Sequence, residues 1–334
     1  MFLFRSPNAF AIDLGTSNTL VYQPKKGIIL DEPTSIAFDK TRQYFFDSGA
    51  SSHKMAGKNP RHIEVMHPLS KGAIANLSVA KAYIKEVIRR ISTNSWFKPI
   101  IVVSVPSDLN PMERSAVIEA GKEGGAREVM LLKDPFSAAL GSGQMIECPR
   151  GVLILDIGAG VTEISLLSLN GIVMSKSLRI AGNDIDEAII EYFKNSKRIL
   201  ISPRDAEVLK KELGNLMDEE IKTMRLNVKN LVTRMPEPFE VNSLDVKRAM
   251  MPIADKIVSL THAMLSALPP VFAQDIYDQG ILVTGGTSML RGIDGHLSKH
   301  LEIEVRGVEN PLHNIILGAG RALEEQRYSK LLGL

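Results

Sequence analysis

Phe10-Ala11-Ile12-Asp13-Leu14-Gly15-Thr16-Ser17-Asn18-Thr19 reads as a hydrophobic strand running into an Asp-x-Gly-x turn. The second half of the chain repeats the arrangement in Val152-Leu153-Ile154-Leu155-Asp156-Ile157-Gly158-Ala159-Gly160-Val161-Thr162-Glu163. Glycine lets the backbone approach an anion closely and reach angles that a side chain forbids. Successive N–H groups in such a turn form an anion-binding concavity. Asp13 and Asp156, at strand ends, are placed to face Mg²⁺ or its waters, an ion that takes oxygen ligands and keeps several waters. Thr16 and Asn18 can donate to phosphate oxygens, and Ser17 lies in the same turn. One such turn is equally well an ordinary hairpin. Two of them, in corresponding halves and each with one carboxylate, predict a pair of hairpins that grips a triphosphate and its metal from both sides.

A third element is Gly280-Ile281-Leu282-Val283-Thr284-Gly285-Gly286-Thr287-Ser288-Met289-Leu290. It reads as a buried strand ending in a Gly285-Gly286 turn that can lie flat against an adenosine ring. Thr287 and Ser288 are placed to start a helix, as small hydroxyl residues do at an N-cap. Two phosphate turns followed by an adenosine turn, in this order, resemble the actin, Hsp70 and sugar-kinase ATPase superfamily.

Closer matches narrow the resemblance. Leu30-Asp31-Glu32-Pro33-Thr34-Ser35-Ile36-Ala37, Asp134-Pro135-Phe136-Ser137-Ala138-Ala139 and Arg179-Ile180-Ala181-Gly182-Asn183-Asp184-Ile185-Asp186 are similar to segments of bacterial actins. Together with Lys211-Glu212-Leu213-Gly214 they make the chain, from about residue 9 to about residue 323, resemble the MreB family. The resemblance implies an α/β actin-like fold of two domains, each a mixed five-stranded sheet flanked by helices, with an ATP cleft between them. It also implies four lobes: 1–31, 67–145 and 312–334 as subdomain IA, 32–66 as IB, 146–180 and 246–311 as IIA, and 181–245 as IIB.

Composition is consistent with this. At 334 residues the chain can bury two separate cores. Hydrophobic content of 44% and charged content of 23% are those of a globular protein. A net charge of +2 without an extended Lys/Arg cluster argues against a nucleic-acid partner. The single Cys148 excludes an intramolecular disulfide framework and a Cys-built zinc site, and fits a reducing cytoplasm. No apolar run approaches the roughly 20 residues of a spanning helix, and no cleavable signal peptide is legible, so a cytoplasmic protein is expected. An Hsp70 would carry a long region after the adenosine turn, and a sugar kinase would carry insertions that this chain lacks.

Hydrophobic periodicity predicts strands at Phe10–Asp13, Ile100–Val105, Val152–Asp156, Glu163–Ser168 and Gly280–Thr284. An alternating pair is expected at Glu220–Leu226 and Phe239–Asn242. Helices are expected at Val79–Ser92, Pro111–Gly124, Pro135–Gly141, Ile185–Lys194, Pro203–Leu213, Ser243–Leu268, Met289–His300 and Leu312–Glu325.

By resemblance, Lys210 and Glu212 contact the nucleoside, and Gly182 and Asp184 approach the phosphates. The bare residues Lys210 and Glu212 read equally as a solvated helix face. The departures from the family lie at the hydrolytic centre, where Asp156, Thr162, Asp134 and Val161 are the candidate residues. The family has a Glu before the Pro that opens the Ala-Ala helix; this chain has the shorter Asp134. It has a Thr after the third glycine of the second phosphate turn; here that residue is Val161, which cannot hydrogen-bond, and Ala159 replaces a glycine. Loss of an oriented partner for the attacking water is worth roughly 10²-fold in rate. Slow ATP hydrolysis is therefore expected, with a relay through Thr162 or Glu163 as the alternative. Lys71 and Asn76 also stand where family members usually carry acidic residues, and a specialised paralogue is indicated.

Met1-Phe2-Leu3-Phe4-Arg5 and Trp96-Phe97-Lys98 set large apolar side chains beside cations, a combination suited to an anionic lipid interface. The resemblance places Phe2, Leu3, Phe4, Trp96 and Phe97 at the membrane; read alone, Trp96 could as well fill a local core gap. The expectation is an ATP/ADP- and Mg²⁺-binding protein that polymerises with itself under the cytoplasmic membrane. There, by resemblance, it would organise the wall-elongation machinery and so cell shape. The alternatives are a filament that positions an organelle or plasmid, and a small-molecule kinase of the same superfamily.

Overall fold

The computed structural model describes residues 8–92, 98–218 and 220–333. The chain folds as two compact units, one of Met1–Val152, Leu166–Met174 and Leu312–Leu334, the other of Leu153–Ser165 and Ser175–Pro311.

The first unit opens with β1 (Ala9–Leu14), β2 (Asn18–Gln23) and β3 (Gly27–Pro33). A small excursion follows: β4 (Ile36–Asp39), β5 (Tyr44–Ser48), α1 (Ala50–Met55) and β6 (Ile63–Met66), then the short β7 (Leu69–Ser70) and β8 (Ala73–Ile74). The chain returns through α2 (Leu77–Ile91), β9 (Ile100–Val105), α3 (Pro111–Glu123), β10 (Glu128–Lys133) and α4 (Asp134–Gly141). The main sheet has the order β10-β9-β1-β2-β3, and β4 is the centre of a separate sheet ordered β5-β4-β6. Every residue of β9 is buried, which a run of β-branched side chains suits, because a central parallel strand is covered on both faces. Local chemistry sets the helix starts. Asn110 and Glu113 form a reciprocal capping box with Pro111 at the first helical position. Asn76 caps α2 by accepting from the Val79 N–H at 3.2 Å, a task an Asp would perform equally.

The chain then forms β11 (Val152–Ile157), β12 (Thr162–Ser168), β13 (Gly171–Leu178), α5 (Gly182–Ser196), β14 (Ile199–Leu200) and α6 (Pro203–Glu212). It continues with β15 (Thr223–Asn230), β16 (Pro236–Asn242), α7 (Ser243–Ser266), α8 (Ala273–Gln279), β17 (Ile281–Thr284), α9 (Ile293–Leu301) and β18 (Val305–Gly307). Helix α10 (Asn314–Glu324) belongs to the first unit. The second five-stranded sheet has the order β13-β12-β11-β17-β18, and β14-β15-β16 form a smaller sheet. The fold is thus the expected α/β one, with two mixed five-stranded sheets. No single helix among the described residues is long and apolar enough to cross a membrane.

Two expectations need correction. The hairpin strands run over Thr223–Asn230 and Pro236–Asn242 rather than 220–226 and 239–242. Pro236 and Pro238 pair with Lys229 and Asn227 on an edge strand, where a missing N–H is tolerated. The helix expected at 289–300 starts only at Ile293, after Gly292 at φ 76°. Gly286–Met289 form a single 3₁₀ turn instead, so Thr287 and Ser288 do not cap a helix.

Candidate functional site

In the first unit β1 ends at Asp13-Leu14 and reverses through Gly15–Ser17 into β2. The Gly15 N–H donates to the Asn18 carbonyl at 3.0 Å. A Cβ on Gly15 would lie 2.7 Å from that oxygen, so the turn closes only around glycine. Ser17 accepts from the Thr34 N–H through its carbonyl at 2.8 Å, and the Thr19 and Thr34 hydroxyls are 2.8 Å apart. Thr16 accepts from the Gly72 N–H at 3.2 Å. Lys71 and Gly72 both have positive φ, 50° and 72°, which makes the β7–β8 connection a tight two-residue turn leaning on the β1–β2 turn. The Ser17 and Asn18 side chains are exposed. Burial pushes the Asp13 carboxyl up to about 7.

The turn of the second unit repeats this geometry. The Gly158 N–H donates to the Val161 carbonyl at 3.0 Å. Its carbonyls are held from behind: Gly158 accepts from the Gly182 N–H at 3.2 Å and from the Thr287 hydroxyl at 2.6 Å, and Ala159 accepts from the Asn183 N–H at 2.8 Å. Gly182 has no room for a side chain, because a Cβ would meet Thr287 Oγ1 at 2.4 Å. The Asp184 carboxylate accepts from the Ala181 N–H at 2.9 Å and so secures the start of α5. Gly182 and Asp184 thus brace the turn. Gly285, at φ 85°, presses its backbone on Asp156: a Cβ there would lie 2.3 Å from Asp156 Oδ1. Ser288 donates back to the Gly285 carbonyl at 2.7 Å, closing the Gly285-Gly286 turn.

Lys210 and Glu212 occupy the last turn of α6. Lys210 donates to Asp186 Oδ2 at 2.7 Å and to the Gly182 carbonyl at 3.0 Å, with both side chains about one-sixth exposed. Burial raises the Asp186 carboxyl above the usual range, and the Lys210 ammonium opposes that rise. The Glu212 side chain is exposed, while its carbonyl accepts from the Arg291 guanidinium, which also donates to the Gly214 carbonyl at 3.1 Å. Sequence reasoning singled out neither Asp186 nor Arg291. Their partners lie far off in the chain, and no local pattern marks them.

At the hydrolytic positions, Asp134 is the half-buried first residue of α4. That helix is clamped on α10 within the first unit. A Cβ on Gly318 would lie 1.8 Å from the Ser137 carbonyl, and one on Gly141 would lie 2.0 Å from the Asn314 carbonyl. Asn314 also donates to the Ala138 carbonyl at 2.9 Å, and the Ser104 and Ser137 hydroxyls are 3.0 Å apart. Val161 is half-buried. The Thr162 hydroxyl is buried and donates to the Ile180 carbonyl at 2.8 Å. Glu163 is buried and accepts from the Ser175 hydroxyl at 2.9 Å. Both are engaged in the packing of the second sheet. Phe2, Leu3, Phe4, Trp96 and Phe97 lie outside the described residues. Among the described residues no three His, Cys, Asp or Glu side chains converge on a metal-sized space.

Against known proteins, the profile of the MreB/Mbl protein family matches residues 7–330. The cell shape-determining protein MreB of Escherichia coli K12 is 36% identical over 324 residues, covering 95% of this chain and 93% of that protein. The cell shape-determining protein Mbl of Bacillus cereus is 34% identical over 315 residues, covering 94% and 95% respectively. The crystal structure of Spiroplasma citri MreB5 bound to ADP superposes with a TM-score of 0.90 at 30% identity, covering 94% of this chain and 95% of that one. The MamK double helical filament matches with a TM-score of 0.80 at 20% identity, over 95% and 99%, and so shares the fold.

Proposed function

The chain belongs to the MreB/Mbl family, and from that premise we propose that it binds ATP and ADP with Mg²⁺ and polymerises into filaments. These would lie on the inner face of the cytoplasmic membrane and organise the wall synthesis that sets cell shape. The observation that carries nucleotide binding is the repeated turn, with the Gly15-to-Asn18 and Gly158-to-Val161 hydrogen bonds of equal length, 3.0 Å. One relative, Spiroplasma citri MreB5, crystallised with ADP and with AMPPNP, supports the same reading.

In this reading the N–H groups of both turns other than those of Gly15 and Gly158, which donate within the turns, act with Thr16, Ser17 and Asn18 as donors to phosphate oxygens. Gly285, Gly286 and Thr287 lie under the adenosine, and Glu212 reaches the ribose. Lys210 holds the wall of the pocket through Asp186 and Gly182. Asp13 and Asp156 face the cation, mainly through its waters. A buried Asp13 carboxyl that resists ionisation fits such a neighbour, since a cation restores the carboxylate. Mg²⁺, when bound, neutralises charge on the phosphate oxygens. The attacking water is oriented by Asp134 alone, because Val161 offers no hydroxyl and the Thr162 hydroxyl is engaged with Ile180. Hydrolysis is accordingly slow. Phe2, Leu3, Phe4, Trp96 and Phe97 provide weak membrane anchors that a polymer multiplies by avidity. The chain divides into four lobes, with IB at 32–66 and IIB at 181–245.

The test is negative-stain electron microscopy of the purified chain with Mg-ATP, with and without anionic vesicles. Filaments that decorate the vesicles are expected. Dispersed particles well above micromolar concentration, with phosphoryl transfer to an added acceptor, would instead assign a small-molecule kinase.

A further inference from the structure

The last turn of α6 carries Lys210 and Glu212, and a residue far off in the chain holds its end. The final carbonyls of a helix have no partner within it. Here the Arg291 guanidinium supplies one. It donates to the Glu212 carbonyl and to the Gly214 carbonyl at 3.1 Å, and it lies 3.5 Å from the Lys211 carbonyl. A cation at this end also meets the negative pole of the helix dipole. The Arg291 backbone joins in: its carbonyl accepts from the Leu216 N–H at 2.9 Å, and Asn215 forms a parallel bridge with it. Two glycines let the segments close. A Cβ on Gly214 would lie 2.1 Å from the Lys210 carbonyl and 3.0 Å from Leu290 Cδ1, and one on Gly292 would lie 2.9 Å from Asn215 Oδ1.

Arg291 follows the Gly285-Gly286 turn closely, and the stretch between them is stiff. The Leu290 N–H donates to the Thr287 carbonyl at 3.0 Å, and the Ile293 N–H to the Leu290 carbonyl at 3.1 Å. Ser288 closes the glycine turn, and Thr287 ties it to the Gly158 carbonyl. The guanidinium therefore fixes the spacing between two parts of the proposed nucleoside site, the Gly285-Gly286 turn and the last turn of α6. Lys210 is committed to Asp186 and the Gly182 carbonyl. Glu212 keeps an exposed side chain, and its own carbonyl is one of the groups that Arg291 holds. A planar fork that meets two carbonyls at once constrains a helix end in a way that a single ammonium cannot. A carboxylate displaced by about 1 Å no longer hydrogen-bonds a hydroxyl.

We propose that Arg291 is a positioning residue for nucleoside selection: it locks the last turn of α6 against the Gly285-Gly286 turn and so sets the Glu212 carboxylate where it reads the ribose hydroxyls. This rests on the nucleotide reading above and adds to it a residue that touches no part of the nucleotide. The test measures dissociation constants of the full chain for ATP and for 2′-deoxy-ATP, both with Mg²⁺, beside the melting temperature without nucleotide. Arg291→Met keeps the length of the stem and removes every donor. It should weaken ATP about tenfold, the worth of one hydrogen bond to a carboxylate, and 2′-deoxy-ATP far less, so that the preference for ribose falls toward one. Arg291→Lys keeps the charge and one donor and should restore part of that preference. A brace that served stability alone would weaken both nucleotides equally and in step with the melting temperature, and that result would overturn the proposal. So would an unchanged preference in Arg291→Met, or no recovery in Arg291→Lys. If the wild type binds ATP and 2′-deoxy-ATP equally, Glu212 does not read the ribose, and the proposal is overturned while nucleotide binding stands. If the wild type binds neither, the nucleotide reading itself falls, and this role with it.

Discussion

Thr287 donates its hydroxyl to the Gly158 carbonyl at 2.6 Å, tying the Gly285-Gly286 turn to the turn after β11 across 129 positions of sequence. Gly182 packs against the same hydroxyl, so one bond organises three segments of the proposed nucleotide site. Thr287→Val keeps the shape and removes the donor. The expected cost is about 1–2 kcal/mol, read as a melting temperature lower by a few degrees, with ATP binding weakened about tenfold. Thr287→Ser should retain most of both. Unchanged melting and affinity in the Val variant would show that the clasp is incidental.

Lys210 and Asp186 form the ion pair of the same wall, 2.7 Å apart and mostly shielded from water. Removing one partner of such a pair leaves the other charge buried, so Lys210→Met should destabilise by about 2–3 kcal/mol in urea unfolding. Lys210→Met with Asp186→Leu should recover part of that loss. Additive losses in the double variant would show that the two residues act separately.

Asp13 gives the chain a pH dependence whose sign is defined. Its carboxyl titrates at about 7 in the folded chain and at about 3.9 when unfolded. The folded state therefore holds the extra proton between those values. This contribution to stability is full below about pH 4 and is lost as the pH rises through 7. Cation binding needs the carboxylate, so Mg-ATP should bind more tightly at pH 8 than at pH 6 and should release a proton on binding. Titration calorimetry in buffers of different ionisation enthalpy would detect that proton, and Asp13→Asn should abolish it.

Val161→Thr restores a hydroxyl at a half-buried position, and Asp134→Glu lengthens the carboxylate on a helix clamped by Gly318 and Gly141. The double variant should release phosphate faster by about tenfold to a hundredfold, with ATP affinity little changed. Equal rates in wild type and double variant would sink the account of slow hydrolysis.

Trp96→Ser combined with deletion of residues 2–4 removes both apolar segments proposed to meet lipid. Cosedimentation with anionic vesicles should fall several-fold, and assembly without vesicles should persist. Undiminished cosedimentation would place the lipid contact elsewhere.

What the sequence by itself determined is local. A hydrophobic strand followed by Asp-x-Gly specifies a tight turn, and its repetition predicted a pair of hairpins, which the structure shows sharing a Gly-to-carbonyl hydrogen bond. Asn110, Pro111 and Glu113 specify the start of α3 for the same reason: backbone groups a few residues apart find their partners without the rest of the fold. Tertiary structure decided the rest. Thr287 looked like a helix cap, yet its hydroxyl reaches Gly158, and the chain takes a 3₁₀ turn before Gly292 releases the helix. Lys210 looked like a solvated cation until Asp186 and the Gly182 carbonyl came within reach, and the Asp13 carboxyl is displaced by burial that no neighbour in sequence announces. Edge pairing admitted Pro236 and Pro238 into β16, because only the finished sheet shows that no ladder partner waits on their far side. Turns and caps follow from short-range hydrogen bonding, whereas ion pairs, buried carboxyls and the meeting of glycine with backbone depend on which distant segments the packed cores bring together.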